Sequence, residues 1–260
     1  MALVSVVTIA KDHAQGLRKT YASLESQDNK DWQMLLVIAP SKDETFIVAR
    51  DIAAQDSRVQ VIEESTPGLY AAMNDGIKNC AGEFIWFMNA GDEFSGSHVL
   101  GSAIQTIVTS EVGVVTGGFR IDGGNSDQVF SYALKTMTAL NFSFNRRSGC
   151  HQAMIFNSQA VREAGNYNTS YALASDFDLV LKVIKSSGGL RVPDVYASIE
   201  PGGVADQNLF QVHSEKHAAR KEFFGKYSPV IVLSLLWTLA ARVKIVLKKY
   251  FIKLKKKITE

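Results

Sequence analysis

The residue best placed for chemistry is Asp92, which closes the run Phe84-Ile85-Trp86-Phe87-Met88-Asn89-Ala90-Gly91-Asp92. An apolar run of this kind reads as a strand buried on both faces, and ligands of open α/β sheets bind just past the carboxyl ends of strands. A carboxylate at that point outlines a nucleotide or metal site. Two more acids, Asp176 and Asp178, open a helical pattern that runs through Lys185. Two residues apart, they lie roughly 200° around a helix, so both cannot face one ligand. His151-Gln152 stands at a turn-to-strand junction after the basic pair Arg146-Arg147. A histidine there either satisfies the local structure or lines a pocket, and the two arginines either meet phosphates or form a solvated loop. No Gly-x-Gly-x-x-Gly or Walker loop is present, so dinucleotide oxidoreduction and ATP hydrolysis have no local support.

The elements that must position these residues alternate. Leu3 to Ile9, Met34 to Ala39, Val59 to Ile62 and Phe84 to Met88 are strand-like, and Leu17 to Glu25, Thr45 to Ala54 and Leu69 to Asn79 carry helical periodicity. Such alternation predicts a mostly parallel, doubly wound sheet flanked by helices. After Asp92 the pattern predicts a helix over Ser97 to Thr109 and strands over Val112 to Phe119 and Gln128 to Leu134, with a turn at Asp122 to Asn125. A turn over Asn141 to Gly149 leads to a strand at Ala153 to Phe156. Ser158 is expected to cap a short helix, and Ser175 or Asp176 to start another.

Gly68, Ala72, Asn74, Gly76, Gly82, Glu83 and Asp92, followed by His151-Gln152 and Ser175-Asp176-Phe177-Asp178-Leu179, match in order and spacing the pattern of family 2 glycosyltransferases. The chain resembles that family to about residue 205. The resemblance implies the Rossmann-like fold termed GT-A and an inverting transfer of sugar from a nucleoside-diphosphate donor to a glycan or lipid-linked acceptor. It places Thr8, Asp12, Asp43, Gly68, Asn74, Asn89 and Asp92 on the donor side. His151, Gln152 and Asp178 would line the substrate pocket, and Asp176 would serve as base. Mg²⁺ or Mn²⁺ on the diphosphate would be held by Asp92. Two departures stand out. The acidic Asp-x-Asp-Asp of the family is thinned to Asn89-Ala90-Gly91-Asp92, and Ile38 replaces the acid that reads the base. Asp43 therefore either meets the nucleotide or caps the helix after it.

Composition bounds the rest. At 260 residues and 46% apolar content the chain can bury a sizeable core, and Cys80 and Cys150 lie too far apart to suggest a zinc site or disulfide framework. The first residues form a strand rather than a signal peptide, which gives a cytoplasmic expectation. The net charge of +2 conceals a basic tail: from Arg242 eight basic residues face Glu260 alone. Val230 to Ala241 is too short for the roughly 20 residues of a membrane span, while the apolar stripe beyond it, backed by lysines, predicts an amphipathic helix lying on anionic lipid at the inner face of the membrane. The expected division is a GT-A domain over 1–226 and a helical membrane-association segment over 227–260. Nucleic acid is not an expected partner, because the lysine-rich face lacks stacking aromatics. Surface-polysaccharide assembly fits these features best. A nucleotidyltransferase and a noncatalytic nucleotide-sugar-binding membrane scaffold are the alternatives.

Overall fold

The computed structural model describes residues 3–121, 128–144 and 150–259, with side chains through 247 except at 206. The Asp122 to Asn125 turn, Arg146-Arg147 and the tail lysines from Lys248 on lie outside these described parts. In chain order the elements are β1 (Val4–Ala10), α1 (Ala14–Glu25), β2 (Trp32–Ile38), α2 (Thr45–Gln55), β3 (Val59–Glu63), α3 (Leu69–Asn79), β4 (Phe84–Phe87), β5 (Glu93–Phe94) and α4 (Val99–Ser110). There follow β6 (Val114–Ile121), β7 (Gln128–Phe130), β8 (Lys135–Met137), α5 (Ala139–Ser143), a 3-10 turn (His151–Ala153), β9 (Met154–Asn157), α6 (Ser158–Glu163), α7 (Ser175–Ser187) and β10 (Gly189–Ile199). Helices α8 (Val204–Gln207), α9 (Leu209–Phe224) and α10 (Pro229–Thr259) complete the chain.

One sheet runs through the first part in the order β3-β2-β1-β4-β9-β6-β10-β5. The first four strands are parallel, as the alternating pattern requires, whereas β9 enters antiparallel to both β4 and β6. Because that direction reverses twice, and β10 runs parallel to β6, the carboxyl ends of β4 and β10 open on the same edge. The second half is thus more antiparallel than the sequence suggests. Helix α3 packs tightly on this sheet at Gly76, where a β-carbon would stand 2.3 Å from Val7 Cγ1. We expect Gly76→Ala to destabilise the chain by about 1–3 kcal/mol in a urea titration, the cost of overpacking a filled core.

Several local expectations need correction. The strand expected over Gln128 to Leu134 stops at Phe130, and the pairing resumes as β8. Ser158 is the first residue of α6, not its cap; Asn157 accepts from the Ala160 backbone N–H at 3.0 Å. Strand β10 went unread because Pro193 interrupts it. The structure accommodates the proline at a register shift between Arg191 and Val195, where no ladder hydrogen bond is required of it. Cys80 and Cys150 are free.

The chain divides into two compact units, Met1–Pro201 and Gly202–Glu260. In the second, α9 packs along α10, so this helix clusters with the tail. Ser234 and Thr238 of α10 are buried, with His217 Nδ1 2.8 Å from Ser234 Oγ and Arg220 on the same hydroxyl. Helix α10 is continuous over 31 residues, and Pro229–Leu247 is a 19-residue stretch of mean hydropathy 2.1. By length and composition alone this stretch could cross a membrane, which corrects the twelve-residue count made from sequence.

Candidate active site

Asp92 lies beyond β4 and is only 5% exposed. The turn that delivers it is built around Thr20 of α1. The Thr20 hydroxyl donates to the carbonyl oxygens of Asp92 at 2.7 Å and Asn89 at 3.2 Å, and accepts from Gly91 N–H at 3.0 Å. Gly91 holds φ +98°, a left-handed backbone, and a β-carbon there would stand 2.0 Å from Glu200 Oε2. The backbone angle favours glycine here, and any larger residue would also push the Glu200 side chain aside. The carboxylate itself is clamped from two sides: Oδ2 accepts from Gln152 Nε2 and Oδ1 from the backbone N–H of Glu200, each at 2.9 Å. Burial pushes the Asp92 carboxyl up to about 6, against the pull of these two donors and of nearby His151.

The 3-10 turn connects this acid to the next one. Gln152 holds Asp92, and its carbonyl anchors the buried Trp86 indole at 2.7 Å. One residue earlier, His151 Nδ1 stands 3.6 Å from Asp176 Oδ2. Asp176 occupies the first turn of α7, whose cap position is Ala174, so the acid is not itself the cap. Tyr70, near the start of α3, donates to Asp176 Oδ1 at 3.2 Å, and its own hydroxyl is held protonated, first by burial and then by the Asp176 charge. The Cys150 thiol is likewise raised by burial and by the Asp92 charge. Asp92, His151, Gln152 and Asp176 therefore form one linked set at the carboxyl edge of the sheet.

The other expected residues have different places. Thr8 is fully buried on the face of β1 shared by Val6 and Ala10, its hydroxyl without a hydrogen-bond partner. Asp12 accepts from Lys42 N–H at 2.6 Å, and Asp43 accepts from the Ala14 and Thr45 backbone N–H groups. These two acids tie together the loops leaving β1 and β2, because helix starts leave backbone donors without intrahelical partners. Asp43 stands one residue before the α2 cap position, Glu44. Asn74 engages both ends of its amide with the Tyr167 backbone, fixing the segment before α7. Asp178 is 1% exposed and paired to Lys182 at 2.6 Å, which removes it from the substrate pocket. Gly68, at φ +143°, starts α3 two residues ahead of Tyr70.

Glu200, His13 and Tyr70 were not singled out from sequence. Glu200 Oε2 lies 2.7 Å from His13 Nε2, closing a bridge across the Gly91 turn. An acid directly after a strand is the signal that would have found Glu200, had β10 been read. Among the described residues no three His, Cys, Asp or Glu side chains converge on a metal position. The oxygen donors at this edge nevertheless suit a hard divalent cation shared with phosphates. Asn89 Oδ1 is buried without a hydrogen-bond partner, and Glu200, after β10, donates its backbone N–H to Asp92.

Solved structures share this architecture. S. aureus TarS 1-349 in complex with UDP superposes with a TM-score of 0.67 at 17% identity, over 85% of this chain and 66% of that one. Mannosyltransferase PcManGT from Pyrobaculum calidifontis, in complex with GDP-Man and Mn²⁺, gives 0.64 at 15% identity, over 97% and 80%. The fold is that of a GT-A glycosyltransferase. The profile of glycosyl transferase family 2 matches residues 5–163, and the chain belongs to that family. Uncharacterized glycosyltransferase MT1564 of Mycobacterium tuberculosis (strain CDC 1551 / Oshkosh) is 27% identical over 205 residues, 77% of this chain and 76% of that protein. O-antigen biosynthesis protein RfbC of Myxococcus xanthus is 36% identical over 96 residues, 36% of this chain and 8% of that protein.

Proposed function

We propose that the chain transfers a sugar from a nucleoside-diphosphate donor to a glycan or lipid-linked acceptor, with inversion, in the assembly of a surface polysaccharide. The observation that carries this reading is the single turn whose Gln152 holds Asp92 and whose His151 reaches Asp176, so that one short segment touches both acids. Asp176 takes the proton of the acceptor hydroxyl as its oxygen attacks the anomeric carbon, while the bond to the diphosphate breaks and the diphosphate leaves. Tyr70 orients Asp176 by donating to its Oδ1. Gln152 and the Glu200 backbone fix the rotamer of Asp92. Asp92, Asn89 and Glu200 would hold a divalent cation arriving with the donor. When bound, that ion neutralises charge on the departing diphosphate.

The direct test is donor turnover. Purified protein with Mn²⁺ should slowly release nucleoside diphosphate from one or more of a panel of UDP-, GDP- and dTDP-sugars, and more quickly once a competent acceptor is added. Binding without turnover under every acceptor tried would favour a noncatalytic nucleotide-sugar-binding scaffold.

The second unit is read as a membrane anchor lying at the inner face. Val232, Leu236, Leu239, Val243 and Val246 of α10 are each about half exposed or more, an apolar surface that water alone does not favour. A crossing orientation would carry His217 and Arg220, which bind Ser234, into the hydrocarbon at substantial cost, so the interfacial orientation is preferred. Full-length protein should sediment with vesicles containing anionic lipid at low salt and be released by salt, while a chain ending at residue 227 should stay in the supernatant. Full-length protein remaining in the supernatant would remove the anchor from this reading, and resistance to both salt and carbonate would turn it into a span.

A further inference from the structure

Arg191 has no part in the transfer just described, yet its setting is that of a ligand-binding group. It lies in β10 at 6% exposure, and its Nε and Nη2 atoms are buried without a hydrogen-bond partner. Its register partner on β6 is Thr116, fully buried, whose Oγ1 is also without a partner. Strand neighbours in register share a face of the sheet at a spacing of about 5 Å, so both side chains leave the same face from adjacent strands. That face is the one α7 covers: a β-carbon on Gly189, two residues before Arg191, would meet Ile184 of α7 at 3.2 Å. Helix α7 carries Asp176 in its first turn. The ring of Tyr132 lies over the guanidinium at 5.5 Å. Burial lowers the Arg191 pKa, and no carboxylate contributes to its shift.

A guanidinium remains charged at any working pH, and a buried charge without a counter-charge is unfavourable for the folded chain. We propose that Arg191 and Thr116 bind a phosphate group of the acceptor, an inference that rests on the transferase reading above. Phosphate fits better than carboxylate because the guanidinium edge engages two oxygens and the hydroxyl can donate to a third. The acceptor side fits better than the donor side. Arg191 lies on the face of the sheet covered by α7, the helix that carries Asp176. Lys135 of β8 is the register partner of Arg191 on its other side, and Leu134 just before it is 69% exposed, apolar surface suited to the chain of a lipid-linked phosphate.

The test uses the full-length protein in detergent, saturated with whichever nucleoside diphosphate it binds best, so that the donor position is filled. Inorganic pyrophosphate and farnesyl diphosphate are titrated by calorimetry, with farnesol as the uncharged control. Both anions should bind, farnesyl diphosphate at least tenfold more tightly, and farnesol should not saturate. Arg191→Met should weaken both anions at least tenfold, Thr116→Val several-fold, and nucleoside diphosphate binding serves as the folding control. In the unligated protein Arg191→Met should melt at or above the wild-type temperature, since it removes an uncompensated charge. Equal affinities for the two anions would keep the anion site and overturn the lipid-linked source. Unchanged anion affinity in Arg191→Met overturns the site, as does a lower melting temperature that Arg191→Lys restores, because both mark a structural arginine. If Arg191→Met does not fold, loss of anion binding in Thr116→Val alone decides the question. Absence of donor turnover in the wild type would instead sink the transferase reading and leave the anion titration standing.

Discussion

Asp176→Asn should lower kcat for sugar transfer by about 10³-fold while leaving the affinity for the donor within a few-fold of wild type. A positioned general base contributes typically 10²–10⁴ in rate, and asparagine keeps the shape of the side chain without accepting the proton. Folding should survive the change, because the Tyr70 hydroxyl can still donate to the amide oxygen and α7 does not depend on Asp176 for its cap. Single-turnover transfer separates the step from product release. Equilibrium binding of the nucleoside diphosphate, measured on the same preparation, shows whether the site is intact. Loss of donor binding equal to the loss of rate would mean that Asp176 holds structure and another group takes the proton. Tyr70→Phe gives an independent check. It removes the hydroxyl that orients Asp176 and should lower kcat by about tenfold, with the affinity for the donor little changed.

Asp92→Asn should cost about 10²–10³ in kcat/KM for the donor at pH 8, the range seen when one preorganised charge-stabilising group is removed. The pH dependence is the sharper test. Burial raises the Asp92 carboxyl to about 6, so below that pH it is neutral in the free enzyme. Wild-type kcat/KM for the donor should then fall about tenfold per pH unit below pH 6. The asparagine variant should show no such limb. The stability sign runs the other way. Since the folded-state pKa lies above the ordinary value of 3.8, Asp92 favours the folded state below about pH 4, and that contribution is lost as pH rises through about 6. The shift corresponds to about 3 kcal/mol at full ionisation. The melting temperature of Asp92→Asn relative to wild type should therefore improve between pH 4 and pH 7, with part of the gain offset by the new amide facing Gln152 Nε2. A wild-type donor profile flat to pH 5 would place the Asp92 charge outside the reaction.

Much of the frame was legible because local physics fixes it. Apolar runs such as Met34 to Ile38 have no stable place except a strand covered on both faces, and the glycines at 68, 76 and 82 mark a helix start and two close approaches. Asp92 could be located from its strand alone. The second half was less legible because antiparallel pairing does not require a helix between strands, so β9 and β10 leave no alternating signature. The proline in β10 also hides a strand that bears both Arg191 and the approach to Glu200. Sequence alone also could not show that Asp12 and Asp43 accept backbone N–H groups from the neighbouring loop, a pairing across about 30 residues.

What the sequence by itself determined is the strand–helix alternation of β1 to β4 and the place of Asp92 just past the fourth strand. Which polar groups meet there was decided only by the tertiary structure. Gln152 meets Asp92 across 60 residues and Tyr70 meets Asp176 across 106. The reason is that hydrophobic periodicity is written locally, within one or two turns or strands, whereas the protonation and orientation of a buried carboxylate depend on donors that only the packing of distant segments can bring within 3 Å of it.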